Sequence, residues 1–113
     1  MTDQILDRAF SALADSTRRR LLTALLESDQ TVVDLATPFA MSLTAVSKHI
    51  GILKEAGLIS QYREGRDRWC ALNPAAMYEA FRWMQNFGYS EERDDAALEA
   101  DLAALGLIDK DEA

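Results

Sequence analysis

The chain has 113 residues, of which 49% are hydrophobic and 27% are charged, and its formal net charge is −7 at pH 7. This length suits one domain with one hydrophobic core, so we predict a single domain over residues 1–113, and the composition excludes a disordered or fibrous protein. No apolar run approaches the roughly 20 residues of a membrane span, the N-terminus is not typical of a signal peptide, and Cys70 is the single cysteine, so we predict a cytoplasmic protein without a disulfide.

The first part of the sequence predicts two helices. Leu6, Phe10 and Leu13 recur at i, i+4 and i+7, which is the spacing of one apolar helix face. Asp15 or Ser16 is the predicted N-cap of the second helix, because a side-chain oxygen there accepts a hydrogen bond from a free backbone N–H. The second helix is expected to bury four leucines, which are Leu21, Leu22, Leu25 and Leu26.

Two more helices, separated by a turn, are predicted over residues 31–57. Thr31, with an acid three residues later, predicts the start of a short third helix. Pro38 is expected to end or disturb that helix, because proline cannot donate to the helix hydrogen-bond ladder. Ser42 is the predicted N-cap of the fourth helix. Gly57 is placed where a helix often ends in a left-handed residue.

The fourth helix has an apolar face and a polar face. At about 100° per residue, the predicted buried face holds Leu43, Val46, Ile50 and Leu53, with His49 at its border. The exposed side carries small or polar residues, which are Thr44, Ala45, Ser47, Lys48 and Lys54. Short side chains let a helix enter a DNA groove, where hydroxyl and lysine groups bind phosphates or base edges. The same residues also suit an ordinary surface helix, so this helix alone does not decide between the two.

The period changes to that of β-strands after the fourth helix. Leu58–Arg63 and Arg68–Leu72 predict two strands, joined by a turn over Glu64–Asp67 that contains Gly65. Arginines crowd around this turn, at Arg63, Arg66 and Arg68. An arginine-rich hairpin that follows a helix-turn-helix is typical of a wing that binds phosphates or a minor groove.

The C-terminal part of the sequence predicts two further helices. Asn73 as N-cap and Pro74 at the first helical position start the fifth, with Met77, Phe81 and Met84 on one face. Ser90, followed by acids, is the predicted start of the sixth, whose apolar stripe is Leu98, Leu102 and Leu105. The predicted fold is therefore mainly α with a β-hairpin: four helices, the hairpin and two helices.

The net charge is unevenly distributed along the chain. Residues 1–73 contain nine acidic and nine basic residues, whereas residues 74–113 contain ten acidic and three basic residues. Residues 42–68 contain five basic and three acidic residues. The segment with the fourth helix and the hairpin is thus positive enough to face a polyanion, and the negative charge belongs to the other end.

Several segments resemble the ArsR (arsenic-repressor) type of winged helix-turn-helix regulators, in that family's order and spacing. They are Ala12–Leu22, Met41–Ile50, Leu53–Ile59 and Arg63–Arg66, within a match over roughly residues 5–88. The resemblance implies a homodimeric repressor that binds a palindromic operator in double-stranded DNA, with a helix-turn-helix over 31–57, a wing over 58–72 and dimerisation helices over 74–106.

The resemblance also implies which residues act. The implied DNA contacts of the fourth helix are Ser42, Thr44, Ala45, Ser47, Lys48 and His49, with Lys54 on its flank. The implied contacts of the wing are Arg63, Gly65, Arg66 and Arg68. The implied dimer interface holds Leu6, Phe10 and Leu13 of the first helix and Met77, Phe81, Trp83 and Met84 of the fifth, extended by the leucine stripe of the sixth.

The sequence departs from the metal-sensing members of that family. It lacks their paired cysteines, since Asp34–Thr37 contains none, and no histidine follows His49, so we predict no metal site and no cofactor. The sequence does not identify an inducer.

Two further residues each fit two roles. Cys70 suits either a buried packing residue or a lone redox-active thiol. Arg18 suits either a contact to the DNA backbone or a pair with Asp15.

Two functions from different classes fit the sequence. One is the dimeric repressor, and the other is a winged-helix protein-interaction module that binds through its acidic C-terminal half. No nucleophile–base pair, phosphate loop or metal set is visible, so an enzyme is not predicted.

His49 suits a phosphate contact or a hydrogen-bonded border residue. Four aromatic residues suit either a core, a dimer interface or a small-molecule pocket, and they are Trp69, Tyr78, Trp83 and Phe87.

Overall fold

The computed structural model describes residues 3–88 and 95–109. Its elements are, in chain order, α1 (Asp3–Leu13), α2 (Ser16–Ala24), β1 (Gln30–Thr31), α3 (Val32–Ala36), α4 (Leu43–Glu55), β2 (Ile59–Glu64), β3 (Asp67–Leu72), α5 (Pro74–Gln85) and α6 (Asp95–Ala104). The chain forms two compact units, residues 1–82 and residues 83–113. The succession of four helices, an antiparallel hairpin and further helices is that of a winged helix-turn-helix, which confirms the predicted fold class.

The core of the first unit joins its helices to the sheet. Its buried side chains come from the helices α1 to α5, from β2 and β3 and from the turns beside them, and they are Ala12, Leu21, Leu22, Leu25, Leu35, Val46, Ile50, Leu53, Ala56, Leu58, Ile59, Cys70 and Ala76. Full burial of one aliphatic side chain contributes roughly 1.5–3 kcal/mol. Val46, Ile50 and Leu53, predicted as the packed face of α4, are among them, so this burial fixes the rotation of α4 about its axis.

Side-chain caps fix where α3 and α4 begin. Thr31 Oγ1 accepts a hydrogen bond of 3.1 Å from the backbone N–H of Asp34, and Ser42 Oγ accepts one of 3.1 Å from the N–H of Ala45. Each bond satisfies a backbone donor that the first turn of a helix leaves free. Both predicted caps are confirmed.

The end of α4 is a Schellman motif around Gly57. Gly57 has a φ of +76°, and the N–H of Leu58 donates to the carbonyl of Leu53 at 3.0 Å. The left-handed conformation favours glycine because other residues place a Cβ too close to the backbone. This turn ends the helix and brings the chain into β2 within two residues.

The sheet has three strands in the order β1-β3-β2, all antiparallel. β2 and β3 pair from Ile59↔Leu72 to Glu64↔Asp67, which makes the hairpin longer and its turn tighter than predicted. Gly65 has a φ of +65°, and glycine at the first of two turn residues is typical of a II′ turn that matches the strand twist. β1 was not predicted, since two residues are too few to show a period.

Two leucines lie elsewhere than predicted. Leu26 is 72% exposed, because α2 ends at Ala24 and Leu26 follows the C-cap instead of continuing the buried face. Leu43 is 51% exposed although the helical wheel placed it on the packed face of α4. Leu43 is the first residue of that helix, and the first turn extends beyond the core that covers Val46 and Ile50.

The second unit contains the last residues of α5 and the helix α6. The rings of Trp83 and Phe87 pack with their centroids 4.8 Å apart at an angle of 57°. The sixth helix begins at Asp95, and its predicted start at Ser90 lies outside the described residues. Within residues 3–88 and 95–109, no helix is long and apolar enough to span a membrane.

Candidate nucleic-acid interface

The N-terminal half of α4 presents its polar side away from the core. Ser42, Thr44, Ser47 and Lys48 are exposed, while Ala45 and His49 are half-buried. This arrangement follows from the sequence, because the buried Val46 and Ile50 occupy the opposite side of the same two turns. The backbone of the exposed side is accessible, since its side chains are short apart from Lys48.

A groove of about 730 Å³ lies between α4, α3 and the sheet. Ser47 and Lys54 line it from the flank of α4, and Arg68 lines it from β3. Two predicted helix residues and one predicted wing residue therefore line the same groove. Leu43 and Val33 add an apolar patch to the same groove, and both are exposed.

The wing directs two arginines to one side of the hairpin. Arg63 and Arg68 are directly paired across the strands, as are Gln61 and Cys70 two residues closer to the core. Residues two apart on a strand share a face, so these arginines continue the core-facing side of the hairpin. Like charges directly opposite each other destabilise a strand pair. An anion bound between them would offset that cost. Gly65 and Arg66 form the exposed turn.

An aromatic pair and an aspartate anchor the wing, and none of these roles was predicted. The hydroxyl of Tyr62 donates a hydrogen bond of 2.7 Å to Asp29 Oδ2. The ring of Tyr62 lies parallel to that of Trp69, its cross-strand partner, with centroids 6.4 Å apart and an interplanar angle of 8°. Donation to the Asp29 carboxylate raises the pKa of Tyr62 above its ordinary value. The hairpin is thereby tied to the segment before β1.

Arg18 binds protein groups on two other helices. Its Nε donates to the carbonyl of Ala12 at 2.8 Å, its Nη2 donates to the carbonyl of Ser11 at 3.0 Å, and its Nη1 lies 3.3 Å from His49 Nδ1. Its backbone N–H donates to Asp15 Oδ1 at 3.0 Å, which confirms Asp15 as the N-cap of α2. That hydrogen bond is the main reason why the pKa of Asp15 lies below its ordinary value.

The two arginines after Arg18 have separate partners. Arg19 Nη1 donates to the carbonyl of Leu13 at 2.7 Å. The guanidinium of Arg20 lies 4.5 Å from the ring centroid of Phe39, which is a cation–π geometry. Arg18 and Arg19 therefore bind the end of α1, and Arg20 packs on the segment between α3 and α4.

The apolar stripes predicted to form a dimer interface are only partly covered by the rest of the protein, and Leu13 also packs against the core. The core-facing positions of α1 and α5 are alanines, Ala9, Ala12, Ala76 and Ala80. The stripe residues Leu6, Phe10, Leu13 and Phe81 are half-buried, and Met77 is 38% exposed. Met84 is exposed and belongs to the second unit.

A second groove, of about 640 Å³, lies beside these stripes in the first unit. Its lining is mainly apolar and includes Leu13, Leu22, Leu26, Met77, Tyr78 and Phe81. Tyr78 and Met77 thus line a groove with aliphatic residues of α1 and α2. Trp69, the wing member of the aromatic set, stacks on Tyr62 instead.

Cys70 is fully buried. Burial raises the pKa of its thiol, and Gln61 Nε2 donates a hydrogen bond of 3.5 Å to its Sγ. A raised pKa leaves little thiolate near neutral pH, and thiolate is the reactive form. Among the described residues, no three His, Cys, Asp or Glu side chains are grouped so that they could hold a metal ion.

We expect native Cys70 to react with a thiol reagent about 100-fold more slowly than the same cysteine in denaturant, because reaction needs local opening of the core. The measurement is the rate of thiol modification at constant pH, with and without urea. A free tripeptide thiol is the control for any direct effect of urea on the reagent. Similar rates in both states would contradict burial and would favour the redox-active alternative.

Known proteins similar to this chain were found by sequence and by structure. Residues 15–61 match the family model described as bacterial regulatory protein, arsR family. The transcriptional repressor SdpR of Bacillus subtilis (strain 168) is 37% identical over 82 residues, which cover 73% of this chain and 91% of SdpR. The crystal structure of an ArsR family transcriptional regulator superposes with a TM-score of 0.72 at 36% identity, covering 76% of this chain and 89% of that one.

A more distant structure shares the fold. It is the solution structure of a homodimeric winged helix-turn-helix DNA-binding domain from Mycobacterium bovis. Its TM-score is 0.60 at 21% identity, over 83% of this chain and 97% of that one.

Proposed function

The chain belongs to the ArsR family of bacterial regulatory proteins, and we propose that it is a homodimeric repressor that reads a palindromic operator with α4 and its wing. As a member of that family it is a DNA-binding transcriptional regulator. The proposal adds the dimer, the palindrome and the residues that make the contacts. We further propose that the protein acts in the cytoplasm and that it is not an enzyme.

One observation carries the proposal: two polar residues of the recognition helix and one arginine of the wing line the same groove, which also contains Glu55. Ser47, Lys54 and Arg68 come from two separate elements and line the same groove. Thr44 and Lys48 are exposed in the same N-terminal half of α4 as Ser47, and the N-terminal residues of a recognition helix contact base edges. Hydroxyl groups here suit phosphates or bases, and lysine and arginine supply the charge.

The wing is proposed to bind the DNA backbone beside the recognition helix. Arg63 and Arg68 are paired on one side of the hairpin, and Arg66 is exposed at its turn. Phosphate contacts supply much of the affinity of a DNA-binding protein but carry little sequence information. We therefore assign affinity mainly to the wing and Lys48, and sequence preference mainly to Thr44, Ala45 and Ser47.

The dimer is proposed to place two recognition helices on one face of the DNA. The half-buried stripes of α1 and α5, with the exposed Met77, supply the apolar surface that a second copy covers. Two copies related by a two-fold axis require a palindromic operator, with half-sites about one helical turn, roughly 10 bp, apart.

The experiment that tests the proposal is DNA binding measured as a function of salt. The probe is the DNA upstream of the gene for this protein, and a scrambled duplex of equal length is the control. A dimer with six to ten phosphate contacts is expected to lose about 10³–10⁵ in affinity between 50 and 200 mM salt. A protein-interaction module would show weak binding and equal affinity for both duplexes.

A further inference from the structure

We propose that Arg18 is a positioning residue for DNA recognition, which ties the last turn of α1 to His49 on α4 and fixes the tautomer of that imidazole. The inference rests on the proposed function, because the value of an oriented His49 lies in contact with DNA. It assigns a role to Arg18 that is separate from any direct contact with the DNA backbone.

The chemistry of the contact determines where the hydrogen of His49 lies. A guanidinium group has only donors, so the atom that faces Arg18 Nη1 at 3.3 Å must be an acceptor. His49 Nδ1 therefore carries the lone pair, and the neutral ring carries its hydrogen on Nε2. Among the described residues, no protein group forms a hydrogen bond with Nε2 of His49. That N–H is available to donate to a phosphate or to a base acceptor.

The same guanidinium connects this ring to α1. Its Nε and Nη2 hold the carbonyls of Ala12 and Ser11, at 2.8 and 3.0 Å. The fork of an arginine is planar and rigid, so three bonds to two helices fix the relative position of those groups. α1 also carries part of the proposed dimer surface. A shift of its last turn is therefore transmitted to a residue on the recognition helix.

The test uses the single histidine of the chain. Nitrogen-15 NMR of the imidazole is expected to show an unprotonated Nδ1 and a protonated Nε2 in the wild type at neutral pH. The variant Arg18→Met is expected to show a mixture of tautomers. Arg19→Met is the matched control, since Arg19 also binds an α1 carbonyl, that of Leu13, but has no contact with His49. Its imidazole spectrum is expected to match the wild type.

Operator binding completes the test. We expect Arg18→Met to bind the operator about tenfold more weakly than Arg19→Met, which has the same net charge. A wild-type ring with its hydrogen on Nδ1 would overturn the inference. So would equal losses in the two variants with unchanged imidazole spectra.

A further variant keeps the inference testable if Arg18→Met does not fold. His49→Asn retains an acceptor near the position of Nδ1 but deletes the Nε2 donor, so we expect a folded protein with weaker operator binding. Operator affinity equal to the wild type would overturn the role of Nε2. If the wild type does not bind DNA, the proposed function is wrong. The NMR measurement of the His49 tautomer does not depend on DNA binding and tests the contact with Arg18 separately.

Discussion

Replacing Met77 by aspartate is expected to give a monomer that binds the operator on the order of 10²-fold more weakly than the wild type. Met77 is 38% exposed in the first unit, so a carboxylate there is hydrated in the monomer and the fold is retained. In the dimer the same carboxylate would be buried without a partner, which costs several kcal/mol. Loss of the dimer removes the second recognition helix and the effective concentration that it provides.

Sedimentation velocity measures the oligomeric state, and the control is Val33→Asp. Val33 is also an exposed aliphatic residue, 61% accessible, but it lies on α3 and lines the groove beside α4. The control variant is expected to remain a dimer with reduced DNA binding. A monomeric wild type, or a dimeric Met77→Asp, would show that α5 does not form the interface.

Replacing Lys48 by glutamate is expected to weaken operator binding by about 100-fold, which is about 2.7 kcal/mol. Lys48 is exposed on the polar side of α4, and reversal of its charge replaces an attractive phosphate contact with a repulsive one. A dimer that carries the substitution loses two phosphate contacts, one per copy, so the negative slope of log affinity against log salt becomes less steep by about two. Stability is expected to change little, because the side chain is not part of the core.

Arg82→Glu is the matched control for Lys48→Glu. It makes the same change of net charge on an exposed residue of α5, whose guanidinium lies 6.0 Å from the ring centroid of Tyr78. Sedimentation confirms that this variant is still a dimer before the DNA titrations are compared. If both variants lose operator affinity equally, net charge alone explains the loss, and a direct contact of Lys48 with DNA is contradicted.

The parts of the fold that the sequence predicts are those with local causes. Thr31 and Ser42 cap helices through bonds to residues three positions later, and Gly57 ends α4 because its backbone is left-handed. The change of period after Gly57 and the glycine in the turn predict the hairpin. The polar residues of α4 follow from its helical period, once Val46 and Ile50 are assigned to the core.

The parts that the sequence does not predict depend on contacts between distant residues. Tyr62 and Asp29 are 33 positions apart, and Arg18 and His49 are 31 positions apart, so no local pattern links them. Leu43 shows a different limit. The helical period gives the direction of a side chain but not where the core ends along the helix axis, so this leucine was placed on the buried face.

Two copies of α4 are proposed to read one palindromic site. Footprinting of the wild-type protein on its own upstream DNA, at low and at physiological salt, tests it most directly. We expect protection of two symmetric half-sites whose centres lie about 10 bp apart, and loss of that protection with Lys48→Glu. Uniform protection along the DNA, or none at low salt, would contradict the account.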